Sequence, residues 1–186
     1  KMSNYISDIT SQILPSQHID IVAYGCTSGT IAIGSNKIKE EINKSKPKAK
    51  VTTPITAALK AFKKLNLKKI AVLTPYPKIV NVTVYDYLVE NNIIVDSFSS
   101  FNLEYDSDIA QVSLDSLEKE IAKIDLSNVD GLFVSCTALK IVDVLDKIEK
   151  KENTIVISSN QAIIWDCLRS VGIDSKIKGY GKLFEN

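Results

Sequence analysis

Residue types that build many common sites are scarce in this chain of 186 residues. It has one histidine, His18, and three cysteines, Cys26, Cys136 and Cys167, with no C-x-x-C pair. Zinc sites need several Cys or His ligands close together, and Ser-His-Asp or Cys-His hydrolase sites would all have to use His18. An odd number of dispersed cysteines is also atypical of a disulfide scaffold. We therefore expect no metal site and no disulfide-stabilised fold.

The chain also lacks a large excess of positive or negative charge and has no long apolar run. The chain mixes 23 Lys and Arg with 22 Asp and Glu, which gives a formal net charge of +1 at pH 7. Without a basic stripe, nucleic acid is not an expected partner. No apolar run approaches the roughly 20 residues of a membrane span, and residues 1–17 lack the apolar core of a secretory signal. We expect a cytoplasmic protein with no membrane partner.

The apolar residues that are present alternate between short runs rich in Val and Ile and longer amphipathic stretches. Near-continuous apolar runs are typical of parallel strands buried on both faces, and the stretches between them have helical periodicity. This order predicts a parallel α/β fold. The predicted strands are 19–25, 50–53, 69–74, 93–97, 131–135 and 154–158, and the predicted helices are 30–44, 54–66, 78–91, 108–124, 138–151 and 161–171.

An internal repeat surrounds two of the cysteines. Residues 19–28 read IDIVAYGCTS and residues 129–138 read VDGLFVSCTA, and each copy continues with a helix, a strand, a Thr or Ser pair and another helix. The repeat predicts two similar flavodoxin-like lobes related by a pseudo-twofold axis, with the active site between them. We assign residues 1–70 and 161–186 to the first lobe and residues 71–160 to the second.

Both repeated cysteines lie where a predicted strand ends before a predicted helix. Ligands of open parallel sheets bind beyond such strand ends. A helix start lowers the pKa of a thiol, and its free N–H groups bind carboxylates. Two such turns that face each other can move a proton from one face of a carbon to the other, or combine one nucleophile with one acid. We therefore predict Cys26 and Cys136 as catalytic residues, with hydroxyl donors from Thr27, Ser28 and Thr137.

Simpler interpretations exist for these and for neighbouring side chains. A free cysteine is often a buried apolar residue, the role that we assign to Cys167. Tyr76 follows the strand 69–74 on the ligand side of the sheet, where it either donates to a substrate oxygen or occupies a turn between two prolines. Asn160 begins a helix, where it either contacts substrate or helps to cap the helix.

Four motifs, taken in their order, resemble the aspartate/glutamate racemase superfamily. They are YGCTSGT at 24–30, LTPY at 73–76, SCTAL at 135–139 and SNQA at 159–162. The most similar branch holds maleate cis-trans isomerases, arylmalonate decarboxylases and the ectoine-utilisation proteins, and the last group is the most similar. The resemblance covers nearly all of residues 19–183. It implies a small carboxylate or dicarboxylate substrate, no cofactor, and a homodimer or larger homo-oligomer.

The resemblance also implies roles by position. Cys26 and Cys136 match the two catalytic cysteines: in maleate isomerases the first attacks the substrate carbon and the second supplies a proton, and in racemases both act as bases. Thr27, Ser28, Tyr76 and Thr137 match donors to a substrate carboxylate, and Asn160 is a further binding candidate.

Retention of both cysteines favours an isomerase or racemase, because decarboxylases of this branch keep only the second. A cofactor-free decarboxylase of a malonate-like acid and a non-catalytic carboxylate-binding protein are the alternatives. Two family features differ here. The N-terminal strand and its Asn-bearing loop precede the helix at which this sequence starts, and acids stand at 106–108, near the position of a second-lobe Asn.

Overall fold

The computed structural model describes residues 5–186 and has a parallel α/β architecture. Its strands are β1 (Ile21–Ala23), β2 (Lys50–Thr52), β3 (Lys69–Thr74), β4 (Ile94–Ser100), β5 (Gly131–Val134) and β6 (Ile155–Ser158). Its α-helices are α1 (Ile6–Gln12), α2 (Thr27–Ile33), α3 (Ser35–Ser45), α4 (Pro54–Leu65), α5 (Lys78–Glu90), α6 (Asp106–Ile109), α7 (Leu114–Ile121), α8 (Leu145–Glu152) and α9 (Ser159–Ser170). Residues 1–4 lie outside the described residues. The predicted first lobe and the segment 1–17 both begin with these four residues.

Within residues 5–186, all strand pairs are parallel, and they form two sheets. β1 pairs with β2, and the larger sheet has the order β4-β3-β5-β6. The six predicted strands are all present, with ends shifted by a few residues. The predicted α/β class with parallel sheets is therefore confirmed.

Each sheet has its own apolar core. The larger core centres on β3 and β5 and takes Phe62 from α4, Leu88 from α5 and Leu117 from α7. The Phe62 and Phe133 rings meet edge to face, with centroids 5.4 Å apart. The smaller core joins Val22 of β1 to residues of α1 and α3. Each fully buried side chain of this size contributes about 1.5–3 kcal/mol to folding.

Helix α9 lies between the two sheets and packs along α4. It contacts β1, β2 and β6. The carboxylate of Asp166, 3% exposed, accepts hydrogen bonds from Lys60 Nζ of α4 at 2.7 Å and from the Thr52 hydroxyl of β2. Buried side chains of α4 and α9 belong to the larger core, so both helices connect the two halves. The predicted lobe boundaries stay a prediction.

Three predicted helices differ from the structure. The stretch 30–44 is divided into α2 and α3 by Gly34, whose φ of +92° lies outside helical geometry. The stretch 108–124 is divided into α6 and α7, because Ser113 caps the second of these through a hydrogen bond from Ser116 N at 3.1 Å. Capping residues in the middle of an amphipathic stretch end one helix and begin another.

The third difference follows the second cysteine. The predicted helix 138–151 becomes a turn, a short 3-10 helix (Val142–Val144) and then α8. Leu139 and Ile141 are each 1% exposed within the larger core. Tertiary burial of these two side chains has overridden a local sequence that favours helix. No helix within residues 5–186 is long and apolar enough to cross a bilayer.

Candidate active site

The first cysteine turn joins β1 to α2. Cys26 is the N-cap residue of α2, and its sulfur accepts a hydrogen bond from Gly29 N at 3.3 Å. The Ser28 hydroxyl lies 3.9 Å from the same sulfur. The Cys26 carbonyl accepts a hydrogen bond from the Thr30 hydroxyl at 2.6 Å, which fixes the turn. As predicted, Cys26 lies at the end of a strand, directly before a helix.

Gly29 allows this turn to pack closely. A Cβ at position 29 would lie 2.9 Å from Cys26 Sγ and 2.9 Å from Tyr24 Oη. Ordinary Cβ contacts are longer than this, so any larger residue would displace one of the two side chains. The glycine therefore lets a thiol and a phenol share the first turn of α2.

The second cysteine turn follows β5 and has a different backbone. Cys136 has a φ of +101°, which costs free energy for a residue with a Cβ. Its sulfur accepts a hydrogen bond from Ala138 N at 3.4 Å. The predicted helix start at Cys136 is wrong, because α8 begins only at Leu145.

The charge properties of Cys136 also differ from the prediction. Burial raises the pKa of the Cys136 thiol, and hydrogen bonds from Ala138 N and Tyr76 only partly oppose this effect. The negative charges of Asp106 and Cys26 raise the pKa further. The expected lowering of this pKa by a helix dipole is therefore wrong, and Cys136 is a protonated thiol at neutral pH.

Hydrogen bonds connect the two turns directly. The Thr137 hydroxyl donates to the Gly25 carbonyl at 2.7 Å. The Thr27 hydroxyl lies 3.0 Å from the Ser159 hydroxyl, which accepts a hydrogen bond from Cys136 N at 3.1 Å. The structure thus brings together the two halves of the internal repeat, as the repeat predicts.

Ser159 was not among the predicted site residues. It is fully buried at the start of α9 and contacts both cysteine turns. The signal in the sequence is its place in the SNQA motif directly after β6. Its contact with Thr27 spans 132 residues of chain, and no local pattern reveals such a contact.

Tyr76 lies beside the second cysteine. It is 6% exposed, and its phenol is next to the side chains of Cys136, Ser135 and Thr27. Burial, followed by the charge of Cys136, raises the pKa of Tyr76, so the phenol stays a proton donor. The Ser100 hydroxyl donates to the Tyr76 carbonyl at 2.6 Å and holds its backbone.

Asn160 holds the backbone of the second cysteine turn. Its Nδ2 donates to the Thr137 carbonyl at 2.9 Å and to the Leu139 carbonyl at 3.4 Å. These contacts keep the turn beyond β5 in its non-helical shape. A direct contact of Asn160 with substrate stays a prediction.

A cavity of about 580 Å³ opens beside the first turn. This volume is in the range of small-molecule sites. Asp106 is the one carboxylate among the described residues that line it, and Cys136, 8% exposed, is not part of its wall. Residues 5–186 contain no group of three His, Cys, Asp or Glu arranged for a metal ion. The cavity is lined by Cys26, Ser28, Gly29, Ile31, Ala32, Ile79, Val80, Thr83, Val84 and Asp106.

The parallel sheets place the chain in a class of two-lobed α/β proteins whose solved structures include a maleate isomerase and an arylmalonate decarboxylase. The chain belongs to the arylmalonate decarboxylase (Amdase) family, whose model matches residues 14–184. The predicted branch, with its maleate isomerases and arylmalonate decarboxylases, is thereby confirmed.

Two curated relatives illustrate both activities of this branch. The arylmalonate decarboxylase of Bordetella bronchiseptica is 28% identical over 137 residues, which are 72% of this chain and 57% of that protein. The maleate isomerase of Pseudomonas putida is 22% identical over 185 residues, 95% of this chain and 74% of that protein. The chain therefore spans little more than half of the first relative.

A solved structure with the same fold is the Nocardia farcinica maleate cis-trans isomerase, in a cysteine-to-serine mutant with a covalently bound succinylcysteine intermediate. It superposes with a TM-score of 0.91 at 17% identity, covering 99% of this chain and 78% of that one.

Proposed function

We propose that this chain is an isomerase or racemase of a small carboxylate, with Cys26 as nucleophile or base and Cys136 as the proton donor. The observation that carries the proposal is that the two thiols, which lie on hydrogen-bonded turns, differ in exposure and in protonation. Cys26 is half-exposed, lines the cavity and receives an N–H hydrogen bond, whereas Cys136 is buried and keeps its proton. A thiolate and a thiol on two turns that are hydrogen-bonded to each other are the pair that two-cysteine catalysis needs.

For an unsaturated acid, the step begins with the Cys26 thiolate. Its sulfur forms a bond to one carbon of the double bond, and the π electron pair moves toward the neighbouring carbon and its carboxylate. The Cys136 thiol gives its proton to that carbon, and rotation about the new single bond follows. Return of the proton to Cys136 and loss of the Cys26 thiolate restore the double bond in the other geometry.

For a saturated acid, the same pair supports racemisation. The Cys26 thiolate removes the proton on the carbon next to the carboxylate, whose oxygens take up the electron pair. The Cys136 thiol then delivers a proton to the opposite face. The N. farcinica enzyme, in which a cysteine carries a covalent succinyl group, supports the addition route over this one.

The substrate carboxylate is proposed to bind between Ser28 and Tyr76. The Ser28 side chain lines the cavity, and the protonated Tyr76 phenol lies beside Cys136. The hydroxyls of Thr27 and Thr137 already have partners in Ser159 and Gly25. We therefore assign Thr27 and Thr137 to holding the turns together, with contact to substrate as their secondary role.

Decarboxylation is the second candidate, because the family match and the apolar cavity wall favour it. Side chains such as Ile31, Ile79 and Val80 surround much of the cavity, and a carboxylate held against them is poorly solvated. Loss of CO₂ breaks the carbon–carbon bond and leaves an electron pair on carbon. Cys136 protonates that carbon, so this route needs Cys136 and not Cys26.

One experiment separates these functions. The protein is incubated in deuterated water with maleate, phenylmalonate and a panel of small chiral acids, and products are followed by NMR. We expect isomerisation or deuterium exchange that falls by at least about 10²-fold in both Cys26→Ala and Cys136→Ala. CO₂ release that survives Cys26→Ala but not Cys136→Ala would establish the decarboxylase. Binding without turnover of any acid would establish a carboxylate-binding protein instead.

A further inference from the structure

The phenol of Tyr24 is buried without a hydrogen-bond partner. Among the described residues, Tyr24 Oη is one of the few side-chain polar atoms in this condition. A buried hydroxyl without a partner costs free energy, and native proteins satisfy nearly all such groups. An unsatisfied phenol next to a functional cysteine therefore calls for an explanation that involves the cysteine.

Tyr24 is held firmly beside Cys26. Its backbone N–H donates to the Thr52 carbonyl at 3.0 Å, and its carbonyl accepts from Cys26 N at 3.1 Å. The side chain turns back over the start of α2, so Tyr24 Oη and Cys26 Sγ both lie 2.9 Å from the point where a Cβ of Gly29 would be. The phenol and the thiol are neighbours on the same side of the helix.

The phenol is a proton donor in this position. Burial raises the pKa of Tyr24, and the charge of Cys26 raises it further. A neutral thiol is a weak acceptor, whereas a thiolate is a strong one. Tyr24 Oη makes no hydrogen bond with Cys26 Sγ in this structure, although both atoms lie 2.9 Å from the same point. A small movement of the phenol toward a thiolate at Cys26 would supply the missing acceptor.

We propose that Tyr24 is a positioning residue for Cys26, whose phenol donates a hydrogen bond to the sulfur when the sulfur is a thiolate. The inference rests on the proposed function, in which Cys26 reacts as a thiolate. The donor already lies beside the sulfur, so only a small movement of the phenol is needed when the charge develops. No bond other than this hydrogen bond forms, and no proton leaves Tyr24.

Other groups around Cys26 also influence the charge on its sulfur. Gly29 N donates to the Cys26 sulfur, and the Ser28 hydroxyl on the same helix lies 3.9 Å from that sulfur. Asp106 lines the same cavity, and Cys136 belongs to the linked second turn. Negative charge on either of these two opposes a thiolate at position 26. Tyr24 adds a further donor, which offsets the repulsion from these negative charges.

The test is the pH dependence of alkylation of Cys26 by iodoacetamide, located by peptide mass spectrometry, in the wild-type protein and in Tyr24→Phe. Tyr5→Phe, which removes the hydroxyl of an exposed tyrosine, is the control. We expect the Tyr24→Phe rate at Cys26 to fall about fivefold to tenfold at pH 7, and the half-maximal pH to rise by up to about one unit. Tyr5→Phe leaves both unchanged.

The melting temperature distinguishes this role from a purely structural one. If Tyr24 only stabilised the fold, Tyr24→Phe would lower the Tm. Because Tyr24→Phe removes an unsatisfied buried hydroxyl, its Tm equals or exceeds that of the wild type. An unchanged alkylation profile in Tyr24→Phe overturns the proposal, as does a slower rate accompanied by a clear drop in Tm. Alkylation needs no substrate, so failure to turn over any carboxylate would refute the proposed function and leave this comparison valid.

Discussion

The hydroxyl oxygens of Thr27 and Ser159 lie 3.0 Å apart, although 132 residues separate them in the chain. Ser159 also accepts a hydrogen bond from Cys136 N. One buried serine therefore connects the residue after the first cysteine to the backbone of the second. The relative position of the two thiols depends on this contact and on the hydrogen bond between Thr137 and Gly25.

Replacement of Ser159 by alanine tests this dependence. It leaves Cys136 N and the Thr27 hydroxyl buried without their partner, so we expect a loss of about 1–3 kcal/mol in the free energy of unfolding. Urea denaturation measures this loss, and kcat with the best acid of the panel should fall as well. Ser107→Ala, at an exposed position on α6, is the control. Equal stability of the two variants would contradict the bridging role of Ser159.

The alkaline limb of the pH–rate profile tests the role of Cys136 as an acid. Burial raises the pKa of its thiol above the ordinary value of 9.0. A group with a raised pKa keeps its proton through neutral pH and loses it only above that value, so activity that requires the thiol falls at still higher pH. We expect kcat to stay level across neutral pH and to decline above pH 9.0. A rise in kcat through neutral pH that disappears in Cys136→Ser would show instead that Cys136 acts as a thiolate.

Sequence and structure agree most closely where the chain repeats itself. The strands before Cys26 and Cys136 are short apolar runs ended by polar residues, so period and length alone predict them. The repeat also predicts that the two turns lie together, because like positions in similar α/β units lie at like strand ends. These features depend on local sequence and on topology that parallel sheets impose.

The features that sequence reasoning missed depend on contacts across the chain. Nearly identical CTS and CTA segments lead into a helix after Cys26 and into a turn after Cys136, since Leu139 is drawn into the core and its carbonyl accepts from Asn160. The pKa of Cys136 follows from this burial. Ser159 lies in a motif that looks like simple helix capping, and only the fold shows that it contacts both turns.

Gly29→Ala separates helix stability from the geometry of the site. Alanine is favoured over glycine in a helix by about 1 kcal/mol, but its Cβ would lie 2.9 Å from both Cys26 Sγ and Tyr24 Oη. We expect stability within about 1 kcal/mol of the wild type and a fall in kcat/KM of about 10²-fold through displacement of the sulfur. Far-UV circular dichroism during heating and steady-state kinetics measure the two effects.

Gly25→Ala is the matched control for this change. A Cβ at position 25 meets nothing within 4 Å, so the variant alters the same turn without crowding the thiol. If Gly25→Ala lowered kcat/KM as much as Gly29→Ala, loss of glycine flexibility and not the close contact at Cys26 would explain both results.

We expect Asp106 to disfavour substrates that carry two negative charges. It is the one carboxylate among the described residues of the wall, and its charge reaches Cys136. A dicarboxylate bound near Cys26 brings a second negative charge into this space, and repulsion between exposed charges at short range costs about 1 kcal/mol. In Asp106→Asn we therefore expect the KM for maleate to fall by about threefold to tenfold at low salt, and the KM for monocarboxylates, which carry a single negative charge, to fall less. The difference should shrink as ionic strength rises.

Asp108→Asn is the control, because it makes the same change in net charge at an exposed position outside the cavity wall. If Asp108→Asn lowered the KM for maleate equally, overall charge would explain the result and Asp106 would not be a determinant of specificity.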